Sequence, residues 1–147
     1  MKLSFTAPLT RIATLKRDTG EVDPDGHPIL SEVQIELHPW PMGWSDWLDR
    51  IFPAPVVYVD QKPVEDAAAR GEYAGQRAAI MLARCAPDDL FDARPPADDS
   101  KRGNWEAYGK ALLAELRAAH FVDGDLLHLV GEIAKVNRGA GKLGKAG

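Results

Sequence analysis

Cysteine is almost absent from this sequence. The 147 residues include one cysteine, Cys85, which cannot close an intramolecular disulfide, so a stapled secreted scaffold is excluded. No apolar run approaches the roughly 18 residues that a membrane helix needs, and no basic-then-apolar signal opens the chain. We therefore expect a single domain in the cytoplasm, with no membrane contact.

A strong charge of either sign is also missing. Twenty-two acidic residues against 18 basic ones leave a formal charge of −4, which offers nucleic acid no general attraction. Basic residues do gather between glycines at the end of the chain, from Lys135 to Lys145. A phosphate-binding tail is one interpretation, but glycine-rich chain rarely holds one conformation, so a flexible tail over residues 139–147 is favoured.

Residue patterns typical of catalytic or metal-binding sites are also missing. The four histidines lack the spacing of a zinc site, and Asp23-Pro24-Asp25-Gly26 indicates a turn rather than a calcium loop. The Asp88-Asp89 and Asp98-Asp99 pairs fall in a polar segment where nothing would tune their pKa values, and Cys85 lies on the apolar side of an alanine-rich helix. We expect no catalytic residue, no metal and no cofactor.

Alternating apolar and polar residues predict strands near the start of the chain. The pattern appears at Leu3 to Phe5 and at Val33 to Leu37, and Ile12 to Leu15 is a plausible third strand. Turn-forming residues from Asp18 to Pro28 predict a long, polar, mobile hairpin loop. Together these features indicate a small antiparallel sheet of the hairpin type.

The pattern then changes to helical spacing. Trp44, Trp47, Leu48, Ile51 and Phe52 form the stripe of a short amphipathic helix, after which Val56 to Val59 is extended. An alanine-rich helix is predicted from Pro63, in its first turn, to about Cys85. Its expected contact face comprises Ala67, Tyr73 or Ala74, Ile80, Met81 and Cys85.

Two more helices follow a polar connection from Pro87 to Gly103. Asn104 and Asp123 are the expected N-caps, and Gly139 is the expected stop. The fold class is therefore α+β: a small N-terminal sheet and about four helices in one domain. Its parts are a β-rich start over 1–38, a helical body over 43–138 and the tail.

Four tryptophans are the most unusual feature, with three of them between Trp40 and Trp47. Core packing is one explanation, and a partly exposed aromatic anchor for a protein partner is the other, because tryptophan dominates binding hot spots. The short helix bearing Trp44 and Trp47 carries more apolar surface than its length suggests it can bury.

The second half of the chain resembles the tail assembly chaperones of tailed bacteriophages. The likeness covers about 63–138 and lies in an alanine-rich helix, a variable acidic linker, a tryptophan-led helix beginning Asn-Trp-Glu-Ala-Tyr, and a last helix that ends in an Asn. The matching positions are Trp105, Leu116, Phe121, Leu126, Val130, Ile133 and Asn137.

The resemblance implies a non-catalytic protein of the host-cell cytoplasm that coats the tape-measure protein during tail morphogenesis and self-associates along it, with some copies extended by frameshifting. Apolar helical surface would be the means of binding. The residues expected to bind the partner, unless they are core, are Trp44, Trp47, Phe52, Leu112, Leu116 and Leu126. Alternatives are a structural virion connector or tail-completion protein that forms a ring, and a small regulatory protein of a mobile element.

Overall fold

The computed structural model describes residues 2–5, 7–139 and 141. Its elements, in chain order, are β1 (Arg11–Val22), β2 (Pro28–Leu37), α1 (Trp44–Ile51), β3 (Val57–Val59), β4 (Lys62–Val64), α2 (Ala67–Cys85), α3 (Arg102–Ala118) and α4 (Asp123–Asn137). Within the described residues the strands form two separate antiparallel hairpins, β1–β2 and β3–β4. The predicted α+β class, a hairpin followed by four helices, is confirmed.

The β1–β2 hairpin forms an arm that leaves the helical body. Cross-strand pairing runs from Arg11 opposite Leu37 to Val22 opposite Pro28, with an irregularity between Asp18 and Val22. One face is apolar near the base, where Ala13, Ile35 and Leu37 are buried, whereas Leu30 and Val22 near the tip are exposed. The arm is therefore packed at one end only.

Two predictions about this region are wrong. The chain continues pairing past Asp18, so the loop is the short turn at Asp23 to Gly26 and not the whole of 18–28. Leu3 and Phe5 form no strand and are exposed, because period-two alternation makes a strand only where a neighbouring strand can accept its hydrogen bonds. Ile12 to Leu15 is confirmed as a strand within β1.

The start of α2 also differs from the prediction. Pro63 pairs with Tyr58 in the β3–β4 hairpin, whose turn residues Asp60 and Gln61 have φ of 51° and 64°. The helix begins at Ala67, where the Asp66 carboxylate accepts the N–H groups of Ala68 and Ala69. Proline is compatible with both the first turn of a helix and an edge strand of a hairpin. The neighbouring turn at Asp60 and Gln61 places Pro63 in the hairpin.

The contact face of α2 is partly as expected. Ile80, Met81 and Cys85 are buried and Tyr73 is half-buried, but Ala67 and Ala74 are exposed. The fully buried residues of the helix all lie between Gln76 and Cys85. In its N-terminal half the main contact is Tyr73, whose ring packs on Phe52 and whose hydroxyl donates to the Phe52 carbonyl.

The N-caps of the last two helices are Lys101 and Val122, so the predicted caps Asn104 and Asp123 are wrong. Helix α3 begins two residues before Asn104, whose side-chain amide instead donates to the carbonyl of Asp98. Helix α4 begins at Asp123, and the carboxylate of Asp125 accepts the N–H of Val122. The expected stop is confirmed, since Gly139 has φ of 90° after the last turn.

One hydrophobic core joins the base of the arm, α1 and the packed parts of α2, α3 and α4. The segment between α2 and α3 has no helix or strand before Arg102, as predicted, but Phe91 within it enters the core. Apart from Gly139 and Gly141, the predicted tail of 139–147 lies outside the described residues.

Candidate functional site

The six residues predicted to bind a partner fall into two groups. Three are core residues: Phe52 and Leu112 are completely buried, and Leu116 is nearly so. A partner could not reach these three without opening the fold, so they are corrected to structural positions. The other three line surface grooves, with Trp44 and Trp47 in one groove and Leu126 in another.

The first groove, which we call the aromatic groove, has a volume of about 480 Å³. Helix α1 supplies two rings one turn apart, Trp44 and Trp47, and α3 supplies Trp105 and Tyr108 with the same spacing. Its lining comprises Trp44, Trp47, Ile80, Ala83, Arg84, Asp88, Pro95, Pro96, Asp99, Trp105 and Tyr108. Helical periodicity thus places four rings on two facing helices.

Three of the four rings, those of Trp47, Trp105 and Tyr108, meet edge to face. The centroids of Trp47 and Trp105 are 5.6 Å apart with planes at 82°, and those of Trp105 and Tyr108 are 5.8 Å apart at 71°. Edge-to-face contacts of this kind hold the rings in fixed orientations. Trp105 and Tyr108 are buried and form the floor, whereas Trp44 and Trp47 are half-buried and keep part of each ring open to solvent.

The segment from Pro87 to Lys101 forms the far wall, and hydrogen bonds fix it. The indole N–H of Trp105 donates to the carbonyl of Asp99 at 2.9 Å. The Glu115 carboxylate accepts the backbone N–H groups of Asp92 and Ala93 at 2.6 and 2.9 Å. A segment with no regular structure therefore provides a preformed wall.

The charges of the aromatic groove lie toward water. Asp88 and Asp99 are exposed and Arg84 is half-buried. Burial raises the pKa of Tyr108 above its ordinary value. The lining is mainly aromatic and apolar, and Asp88, Asp99 and Arg84 are its charged residues, so the groove is suited to binding apolar groups.

A second groove, the α2–α4 groove, has a volume of about 660 Å³. The two helices are close at their C-terminal ends, where the Asn137 side-chain nitrogen lies 3.7 Å from the Cys85 sulfur, and the groove lies toward their N-terminal ends. Small residues of α2, including Gly71 and Ala74, form one side, and Leu126 and the 74% exposed Leu127 form the other.

Two features considered for chemistry have structural roles. Cys85 is buried as predicted, and burial raises the pKa of its thiol. Asp23, Asp25 and His27 have side-chain ligand atoms within 4.8 Å of one another. However, one oxygen of Asp23 already accepts the N–H groups of Asp25 and His27, which makes the group a hairpin turn.

Sequence reasoning missed several groove residues. Tyr108 lies in the tryptophan-led helix but is not among the predicted site residues, and Pro95 and Pro96 lie in the segment predicted to be a polar connection. Their place in the groove depends on the path of the connection across the body, which no local pattern reports. The sequence could have identified Leu127 as an exposed groove residue, because it is apolar but lies beside the apolar stripe of α4 rather than on it.

Comparisons with protein-family models, with curated proteins and with solved structures find no match for this chain. Across the described residues no helix is both long enough and apolar enough to span a membrane.

Proposed function

We propose that this chain is a non-catalytic protein-binding domain that acts as a tail assembly chaperone, holding apolar helical segments of a tape-measure protein in the host-cell cytoplasm. The observation that supports the binding function is the aromatic groove, in which Trp44 and Trp47 are partly exposed above the buried rings of Trp105 and Tyr108. Half-open tryptophans in a fixed pocket are typical of binding hot spots. The assignment to phage tails rests on the sequence resemblance of residues 63–138.

The α2–α4 groove supports the same proposal. Its lining is mainly apolar, and its small residues would let a helix approach closely. An elongated, helix-rich client could use both grooves, since one binds large side chains and the other accommodates a helix backbone. Binding would remove Leu127 and the tryptophan faces from water.

Co-expression with a candidate tape-measure protein tests the proposal. The wild-type chain should keep the client in the soluble fraction and co-purify with it. Trp44→Ala combined with Trp47→Ala should abolish the rescue, and Met42→Ala, at a fully exposed residue outside both grooves, is the matched control. A client that aggregates equally with and without the wild-type chain would contradict the proposal.

A structural virion component that forms a ring is the second candidate. The observation that favours it is the presence of two unlike apolar grooves, because head-to-tail contacts join two different surfaces of neighbouring copies. Native mass spectrometry of the purified chain and of assembled particles separates the candidates. A closed oligomer retained in mature particles supports the ring, and absence from those particles supports the chaperone.

A further inference from the structure

We propose that copies of this chain associate by strand exchange. Residues 2–5 of one copy, which we call the 2–5 segment, add as an extra strand to the outer edge of β2 in a second copy. Leu3 and Phe5 of the segment then enter an apolar groove beside that edge. Such contact between copies goes beyond the proposed function, because it needs no client.

The hydrogen bonds at the end of the arm show which backbone groups of β2 point away from β1. His38 directly follows β2, and its N–H donates to the Cys85 carbonyl at 2.8 Å and not to β1. The adjoining pair, Arg11 and Leu37, is therefore the hydrogen-bonded kind, because the two kinds of pair alternate along an antiparallel ladder. Counted back from Leu37, every second residue bonds to β1 and the residues between point outward.

The outward-pointing residues leave one edge of the arm open. Glu32, Gln34 and Glu36 direct their N–H and C=O groups away from β1. Among the residues that the structure describes, no backbone group of another element pairs with these three. An edge of this kind is a template on which an extended segment can add as a further strand.

An apolar groove of about 460 Å³ lies beside this edge. On the β2 side it is lined by Val33, Gln34 and Ile35, and on the far side by residues that include Phe91 and Leu116. Successive side chains of a strand point to opposite faces, so three consecutive residues line one groove only where the strand presents its edge. A strand added there would therefore have one face against the groove.

The 2–5 segment has the pattern of a strand without a strand to pair with. Leu3 and Phe5 alternate with polar residues, and their side chains are 80% and 98% exposed. Because they lie two positions apart, an extended backbone points both to the same face. Pairing with β2 of a second copy would supply the missing hydrogen bonds and would remove both side chains from water.

The charges of the arm complement the segment. With the apolar side chains in the groove, Lys2 lies on the opposite face of the added strand. That face of the arm carries Glu32 and Glu36 on β2, together with Lys16 and Asp18 on β1, so its carboxylates outnumber its one ammonium group. Within the described part of the chain neither glutamate forms an ion pair, and both can attract Lys2.

Sedimentation of the full chain over a range of concentrations tests the donated segment. The wild-type chain should associate with a Kd on the order of 100 µM, because a short added strand buries less area than a standard interface. Leu3→Ser combined with Phe5→Ser should weaken association about tenfold or more. Both side chains are exposed within one copy, so the circular dichroism spectrum should not change. Met42→Ser combined with Val22→Ser removes two other exposed apolar side chains and should leave association intact.

A proline tests the receiving edge. Gln34→Pro removes an outward-pointing N–H and keeps the bonds between β1 and β2, because that N–H takes no part in the ladder. It should weaken association as strongly as the change in the segment. Gln34→Ala keeps the N–H and is the matched control, which should associate like the wild-type chain. Circular dichroism verifies that both variants are folded.

Mixing the two defective variants distinguishes exchange between copies from folding of the segment onto its own copy. The Gln34→Pro chain still has an intact 2–5 segment, and the Leu3→Ser, Phe5→Ser chain still has an intact edge. Neither should associate alone, and an equimolar mixture should form one-to-one pairs.

A wild-type chain that stays monomeric up to about 500 µM would overturn the proposal. Association that survives either defect, or a mixture that does not restore it, would do the same. The proposed function is judged separately by rescue of the client in cells, so the two failures are distinguishable.

Discussion

The two halves of α2 have similar alanine-rich sequences and different surroundings. From Gln76 to Cys85 the helix is enclosed by α3 and α4, whereas Ala67 to Ala74 is largely exposed. The arm repeats the contrast, since Ile35 and Leu37 are buried at its base and Leu30 is exposed near its tip. Both elements are thus anchored at one end and extend from the body at the other. The buried, anchored ends therefore contribute most of the packing that stabilises the fold, and the free ends are largely exposed.

Truncation of a core side chain in the anchored half should have the largest effect. Leu82→Ala removes a completely buried side chain and should lower the free energy of unfolding by about 2–5 kcal/mol. Urea denaturation followed by circular dichroism measures the change. Ala68→Gly in the free half, an exposed helical position, should cost only about 1 kcal/mol. Equal losses at the two positions would contradict the contrast.

The ion pair between Arg11 and Glu132 ties the base of the arm to α4, and both residues are buried. Burial opposes the charge of Glu132, but hydrogen bonds from Arg11 and Lys135 outweigh it and lower its pKa below the ordinary value. Glu132→Gln leaves Arg11 buried without a counter-charge and should cost about 3 kcal/mol at neutral pH, measured by urea denaturation.

The lowered pKa of Glu132 also fixes the sign of a pH effect. The unfolded chain takes up this proton first as pH falls, so the stabilisation is complete above the ordinary value of 4.5 and is lost as pH falls from there through the folded-state pKa. The difference in unfolding free energy between wild type and Glu132→Gln should therefore shrink below about pH 4.5. A difference that grows on acidification would exclude this assignment.

Two glycine substitutions give effects of opposite sign. A Cβ atom at Gly109 would lie 2.7 Å from the Cβ of Gln76 in the anchored half of α2, so Gly109→Ala should destabilise the fold by about 1–3 kcal/mol. At Gly71, in the free half, an added Cβ meets no atom within 4 Å. Gly71→Ala should therefore stabilise the chain by about 1 kcal/mol.

Thermal unfolding of the two glycine variants beside wild type checks these signs. The melting temperature should fall for Gly109→Ala and rise for Gly71→Ala. A lower melting temperature for Gly71→Ala would contradict the open space around residue 71.

Local pattern predicted α1, α3, α4 and the strands of the β1–β2 hairpin, but it missed β4 and could not predict the surroundings of the elements. The stripe from Trp44 to Ile51 predicted α1 because one period of 3.6 residues governs the whole segment. The interpretation of Leu3 to Phe5 failed because a strand requires a pairing partner that lies elsewhere in the chain.

The site was only partly predictable for the same reason. Phe52 and Trp44 belong to one apolar stripe, yet Phe52 is completely buried and Trp44 is half-open. Phe52 contacts Tyr73 of α2 and Arg102 of α3, whereas the ring contact of Trp44 is with Trp40. The position of the wall that contains Pro95 and Pro96 depends on the path of the connection across the helical body. Sequence periodicity does not predict that path.

Pro63 has a consequence for how the chain behaves in concentrated solution. Val59 and Lys62 flank a two-residue turn as a hydrogen-bonded pair, so the next pair, Tyr58 and Pro63, directs its backbone groups outward. Because proline has no N–H, the outer side of β4 cannot donate there to an incoming strand. Hairpins can stack into a continuous fibre only if both edge strands of every molecule can pair with a neighbour. In this hairpin Pro63 prevents such pairing at the centre of the β4 edge.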